Sequence, residues 1–90
     1  MKSLPLLCQS TDLYRGPYVP TVGLRGHVSA EGLTDVDVME IVGVRPDKSV
    51  EFLGQLTIEI TAVIFDPTRF QYVRAIRAYS SGSPVDVWVE

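Results

Sequence analysis

The stretch "FQYVRAIRAYSSGSPVDVWVE", residues 70–90, decides the fold class. Two runs rich in β-branched and aromatic residues flank a Ser/Gly/Pro cluster, which predicts two strands joined by a tight turn, a closing hairpin. In the first run Tyr72, Arg74, Ile76 and Ala78 share one side, and Val73, Ala75, Arg77 and Tyr79 share the other. In the second, Val85, Val87 and Val89 point inward and Asp86, Trp88 and Glu90 outward. A period of two on both sides of a turn is the signature of strands.

The same period extends upstream. Leu24, Gly26, Val28 and Ala30 alternate with Arg25, His27, Ser29 and Glu31. Leu56, Ile58, Ile60, Ala62 and Ile64 form the clearest apolar face, opposite Thr57, Glu59 and Thr61. Val36 and Val38 lie on one side of their run while Met39 and Ile41 lie on the other, which calls for a β-bulge or burial on both faces. "RPDKS" predicts a turn, with Pro46 presetting φ and Asp47 bonding its own backbone onward. "DPT" breaks the chain at Asp66. No helix-length 3.6 period occurs. The reading is all-β: a single antiparallel β-sandwich or small barrel of about six to seven strands, at intervals of about 8–14 residues. Residues 1–20, rich in proline and apolar residues without clean alternation, read as an extended N-terminal arm or first strand, and residues 21–90 as the sandwich.

Ninety residues are one domain, and 46% hydrophobic against 21% charged residues suits a globular chain. So small a core leaves a thin stability margin, and Cys8, the only cysteine, offers no internal disulfide. Association with a partner, a second copy above all, is the expected source of further stability. A net charge of −3 with scattered Lys and Arg excludes the basic face that nucleic acid or an anionic membrane needs. The apolar runs are too short to span a bilayer. The run from Leu4 to Cys8 is also short of the roughly 7–15 residues of a secretory core, so no signal is expected there.

The candidate chemistry is sparse. His27, the only histidine, falls on an outward strand face beside Arg25 and Ser29 and reads as solvated. Asp35 and Asp37, with Glu31 nearby, supply too few oxygens for a cation that takes 6–8, and read as solvating a sheet face. Glu40, Glu51 and Glu59 read as surface charges that blunt strand edges rather than a glycosidase pair. No catalytic residue, cofactor or metal is expected. What remains is contact chemistry. Tyr14, Tyr18, Tyr79 and Trp88 offer flat amphipathic area for a protein interface or a glycan, or they cap the ends of the core. Leu4, Leu6 and Leu7 of the arm, with Arg15 between the two N-terminal tyrosines, complete the set of partner-contact candidates.

At "GLTDVDVMEIVGVRPDKSVEFLGQLT" and in residues 70–90 the chain resembles small β-sandwich virion proteins of tailed bacteriophages. Val36, Val38, Gly43, Asp47, Leu53, Gly54, Leu56 and Thr57 fit the first half of that pattern. Phe70, Tyr72, Val73, Arg74, Ala75, Ser81, Gly82, Val85 and Val87 fit the second. Lys48 stands where such proteins often carry Gly, and Phe52 where Trp is usual. The resemblance implies a jelly-roll-like sandwich and a structural role, as a capsid decoration or cement protein on the virion surface, made in the host cytoplasm. Its implied partners are the major capsid protein or other virion subunits, with a homo-oligomer, a trimer by preference. The alternatives are a carbohydrate-binding module using its aromatics, or a sandwich of the tail or fibre.

Overall fold

The computed structural model describes residues 19–34, 37–77 and 85–90. Within them lie seven strands: β1 (Val19–Pro20), β2 (His27–Glu31), β3 (Met39–Val44), β4 (Val50–Leu56), β5 (Ala62–Ile64), β6 (Tyr72–Arg77) and β7 (Asp86–Val89). A 3-10 turn, Pro67–Arg69, is the only helical piece among the described residues. The strands form two antiparallel sheets, ordered β1-β6-β3-β4 and β5-β2-β7. All-β is therefore correct, and so is the strand number.

The pairing is nested: β3 with β4, β2 with β5, β1 with β6. This is one long antiparallel ribbon, folded at the β3–β4 turn and rolled so that successive pairs fall in alternate sheets. The winding is that of a jelly roll. Pairing of β3 with β6 and of β2 with β7 then knits each sheet sideways.

Turn chemistry fixes the tip of the ribbon. Arg45 N–H donates to Ser49 O (2.9 Å) and Lys48 N–H to Arg45 O (2.8 Å). The Asp47 carboxylate accepts from both the N–H (2.9 Å) and the hydroxyl (2.6 Å) of Ser49, as its place after Pro46 predicts. Those two bonds, the hydroxyl's first, hold the Asp47 carboxyl below its ordinary value. Lys48 adopts φ 72°, a left-handed conformation that favours glycine. Asp66 caps the 3-10 turn in the same manner, accepting from Thr68 N–H (3.0 Å) and hydroxyl (2.7 Å), and its carboxyl is likewise lowered.

The core between the sheets is built from Val28, Met39, Ile41, Leu56, Val73, Ala75 and Val89, all fully buried, with Phe65 and Phe70 at the margins. On β2 the alternation holds: Val28 is buried, Leu24 and Ala30 pack on the core, and His27 is exposed. β3 is buried on both faces, since Met39, Ile41, Val42 and Val44 are all inaccessible. The pairing register also shifts between Ile41 and Val42, where Leu53 is the extra residue of β4. Burial on both faces is thus the remedy for the phase conflict around Val38 and Met39; the bulge lies on β4 and leaves β3 regular against β6.

Three expectations are overturned. Residues 70–90 are not a hairpin: β6 lies in the four-stranded sheet and β7 in the three-stranded one, so the two strands do not pair. Alternation sets which side chains face inward, but not which strand is the neighbour. Residues 56–64 are not one strand with an inward apolar face. Leu56 is buried and ends β4, whereas Ile58, Ile60 and Ile64 are exposed and Val63 is the residue that enters the core. The physical reason is Thr57, whose hydroxyl accepts from the N–H groups of Glu59 (3.1 Å) and Ile60 (2.9 Å). Its own N–H donates to Ile60 O (2.9 Å), closing a turn inside the apparent strand. Asp37, finally, does not solvate a face. It is 1% exposed, and the Thr34 hydroxyl donates to its carboxylate (3.3 Å).

Candidate docking surface

Turning the chain at Thr57 carries it from the edge of one sheet to the edge of the other. β4 is the last strand of the four-stranded sheet and β5 the last of the three-stranded sheet, and they stand on the same side of the sandwich. Val50 (59%), Phe52 (57%), Ile58 (52%), Ile60 (48%) and Ile64 (73%) are all exposed along this ribbon. Phe52 and Leu53 from β4 and Ile60, Ala62 and Ile64 from the β5 side line an open groove of about 550 Å3, floored by Val63 and Gly54.

The two edges come together through Gly54. Its φ is 149°, and a Cβ there would stand 3.2 Å from both methyls of Val63. A larger residue would wedge the sheets apart at the groove floor.

The exposed side chains present apolar area on the order of 500 Å2, near the upper end of the largest patch on a typical monomer, about 300–600 Å2. Scattered exposed hydrophobics need no explanation, but five in one ribbon at two adjoining strand edges form a surface. β4 contains no proline or lysine, and its edge protection is limited to the Leu53 bulge and Glu51.

Its one charge, Glu51, is engaged by Arg45 and, at 2.8 Å, by Arg69. These guanidiniums also flank the Phe70 ring, at 5.6 and 5.4 Å from its centroid. Lys48 reaches Gln71 Oε1 (2.9 Å) and lies 5.6 Å from the Tyr72 centroid. The ribbon thus has an apolar middle, a tip carrying both Asp47 and Lys48, and an acidic turn at Glu59.

Of the contact candidates read from the sequence, Trp88 alone is described. It is half-buried on β7, opposite Ser29 of β2, at the far edge of its sheet from β5. Leu4, Leu6, Leu7, Tyr14, Arg15, Tyr18 and Tyr79 lie outside the described residues, as does Asp35. Val19 and Pro20, the last residues of the expected arm, pair with Val73 and Tyr72 as the edge strand of the four-stranded sheet. Among the described residues no three His, Cys, Asp or Glu side chains converge as metal ligands, and no helix is long and apolar enough to cross a membrane.

The docking ribbon is the feature that sequence reasoning missed. Alternation places Ile58, Ile60 and Ile64 on one apolar strand face with Leu56 and Ala62, and gives Val50 and Phe52 no contact role. The available signal was Thr57, followed by the polar residues Glu59 and Thr61, at the length of a short turn. No protein-family model, curated protein or solved structure matches the chain.

Proposed function

We propose that this chain is a non-enzymatic structural protein of a virion, most specifically a capsid decoration or cement protein, which attaches to other protein through the β4–β5 ribbon. The observation that carries the docking reading is the exposed run Val50, Phe52, Ile58, Ile60 and Ile64 at two adjoining sheet edges. A rolled sandwich with one apolar side suits assembly, because rigid strands present the contact residues without an ordering cost at binding. The virion assignment itself is drawn from the resemblance in residues 33–90 and stands on that.

The test is quantitative mass spectrometry of purified particles from the source, counting copies of this chain per major shell subunit. A ratio near one supports a lattice decoration, and a few copies per particle moves the chain to the tail or a vertex. Absence from particles removes the virion role. Adding purified Ile64→Lys chain to stripped particles then tests the ribbon. Attachment should fall at least tenfold, because a charge replaces a side chain at the middle of the contact. Undiminished attachment would place the contact elsewhere.

A further inference from the structure

We infer that the β4 half of the ribbon is where a second copy of this chain docks, antiparallel edge to edge about a two-fold axis, which leaves the β5 half for the shell. The inference rests on the docking reading above and names one occupant of that surface.

Backbone direction is the first argument. Val44 O accepts from Gln71 N–H (2.7 Å), so position 44 turns its backbone polar groups toward β6. Val50 is its partner across the β3–β4 pair. In an antiparallel ladder a residue whose neighbour turns away from it turns away too. Val50, and by alternation Phe52, therefore point their N–H and C=O groups off the sheet edge. Glu51 between them points its own toward β3. The bulge at Leu53 ends this regular segment.

A segment of three residues whose first and last both offer a donor and an acceptor is self-complementary. With Glu51 on the two-fold axis, Val50 of each copy faces Phe52 of the other, and both pairs exchange N–H···O=C bonds. This is β-augmentation by a second copy, joining two four-stranded sheets into one. The side chains agree with it. Val50 and Phe52 project to the same outer face, where a β-branched residue beside an aromatic is a favourable cross-strand pair.

Charge permits the pairing. The Glu51 carboxylates that meet at the axis each arrive already neutralised by Arg45 and Arg69. A two-fold pair is accordingly the self-association this edge supports, in place of the trimer that the resemblance implies.

Sedimentation equilibrium of the full chain up to about 100 µM tests this, with a dimer near twice the 10.0 kDa chain mass expected. Val50→Pro removes only an outward N–H and should weaken the dimer at least tenfold, as should Phe52→Lys. In a Cys8→Ser background, Glu51→Cys sits on the axis and should oxidise to a disulfide-linked dimer. Gln55→Cys, which lies beyond the Leu53 bulge and away from the axis, should not. A monomer throughout the range, a trimer, or a dimer indifferent to both edge variants would overturn the inference. If the monomeric chain still attached to particles through Ile64, self-pairing would be refuted and the docking reading would stand. Far-UV circular dichroism of each variant separates lost pairing from lost fold, and Glu51→Cys reports on the register even if Phe52→Lys fails to fold.

Discussion

Replacing Gly43 with alanine should wedge the sandwich at the Phe70 end. Gly43 sits on β3 between Glu51 of β4 and Val73 of β6, and a Cβ there would lie 2.6, 2.7 and 2.8 Å from three carbons of the Phe70 ring. Carbon atoms settle at about 3.5–4.0 Å, so the ring has to retreat by roughly 1 Å. It has little freedom to do so. The Thr21 hydroxyl donates to Phe70 O, and the next residue, Gln71, donates to Val44 O at 2.7 Å. Arg45 and Arg69 flank the ring itself.

Overpacking of this kind costs about 1–3 kcal/mol. The relief of strand glycine's entropy returns only about 0.5–1 kcal/mol. The net loss should be about 1–2 kcal/mol, which at a urea m-value of about 1–1.5 kcal/mol/M moves the midpoint down by roughly 1 M. Urea unfolding followed by circular dichroism reads it. The decisive variant is the double one: Phe70→Leu removes the clashing ring carbons, so Gly43→Ala should cost far less in that background. A coupling of about 1 kcal/mol or more is expected for such neighbours. Additive single effects, or a Gly43→Ala midpoint equal to wild type, would refute the reasoning.

Lys48→Gly should raise stability by about 0.5–1 kcal/mol, since a non-glycine residue at φ 72° bears about 1–2 kcal/mol of strain and glycine returns part of that as entropy; an unchanged or lower urea midpoint would contradict it. Gly54→Ala should lower stability by about 1–3 kcal/mol through its φ of 149° and the Val63 methyls at 3.2 Å, and should speed amide exchange at β5. Asp47 and Asp66 both have carboxyls held below the ordinary 3.8 by Ser49 and Thr68 hydrogen bonds, so their contribution is present above that value and is lost as pH falls through the lowered one. A chain carrying both Asp47→Asn and Asp66→Asn should therefore lose less stability between pH 5 and pH 2 than wild type, and equal losses would count against those bonds.

Strand content and the tip of the ribbon were legible because their signals are local. Pro46 and Asp47 specify their turn within five residues, and Val28 and Val89 fall inward where alternation puts them. Strand neighbours were not legible. β6 and β7 are close in sequence and lie in opposite sheets, because rolling the ribbon is decided by long-range packing. The docking surface was misread for a different reason. Apolar alternation reports an apolar face and does not say what covers it, so Ile58, Ile60 and Ile64 fitted a core equally well until the Thr57 turn faced them outward. Asp37 shows the converse, an acidic residue that a hydroxyl partner allows inside.

If the reading is right, protein covers the β4–β5 ribbon in the working state. Hydrogen–deuterium exchange, compared between the dilute chain and the chain assembled in purified particles, reads that cover residue by residue. The amides of Val50 and Phe52 and those of residues 58–64 should slow at least tenfold on assembly, while those of β2 and β3, already bonded within the sandwich, should keep their rates. Unchanged exchange across residues 50–64 in the assembled chain would contradict the claim.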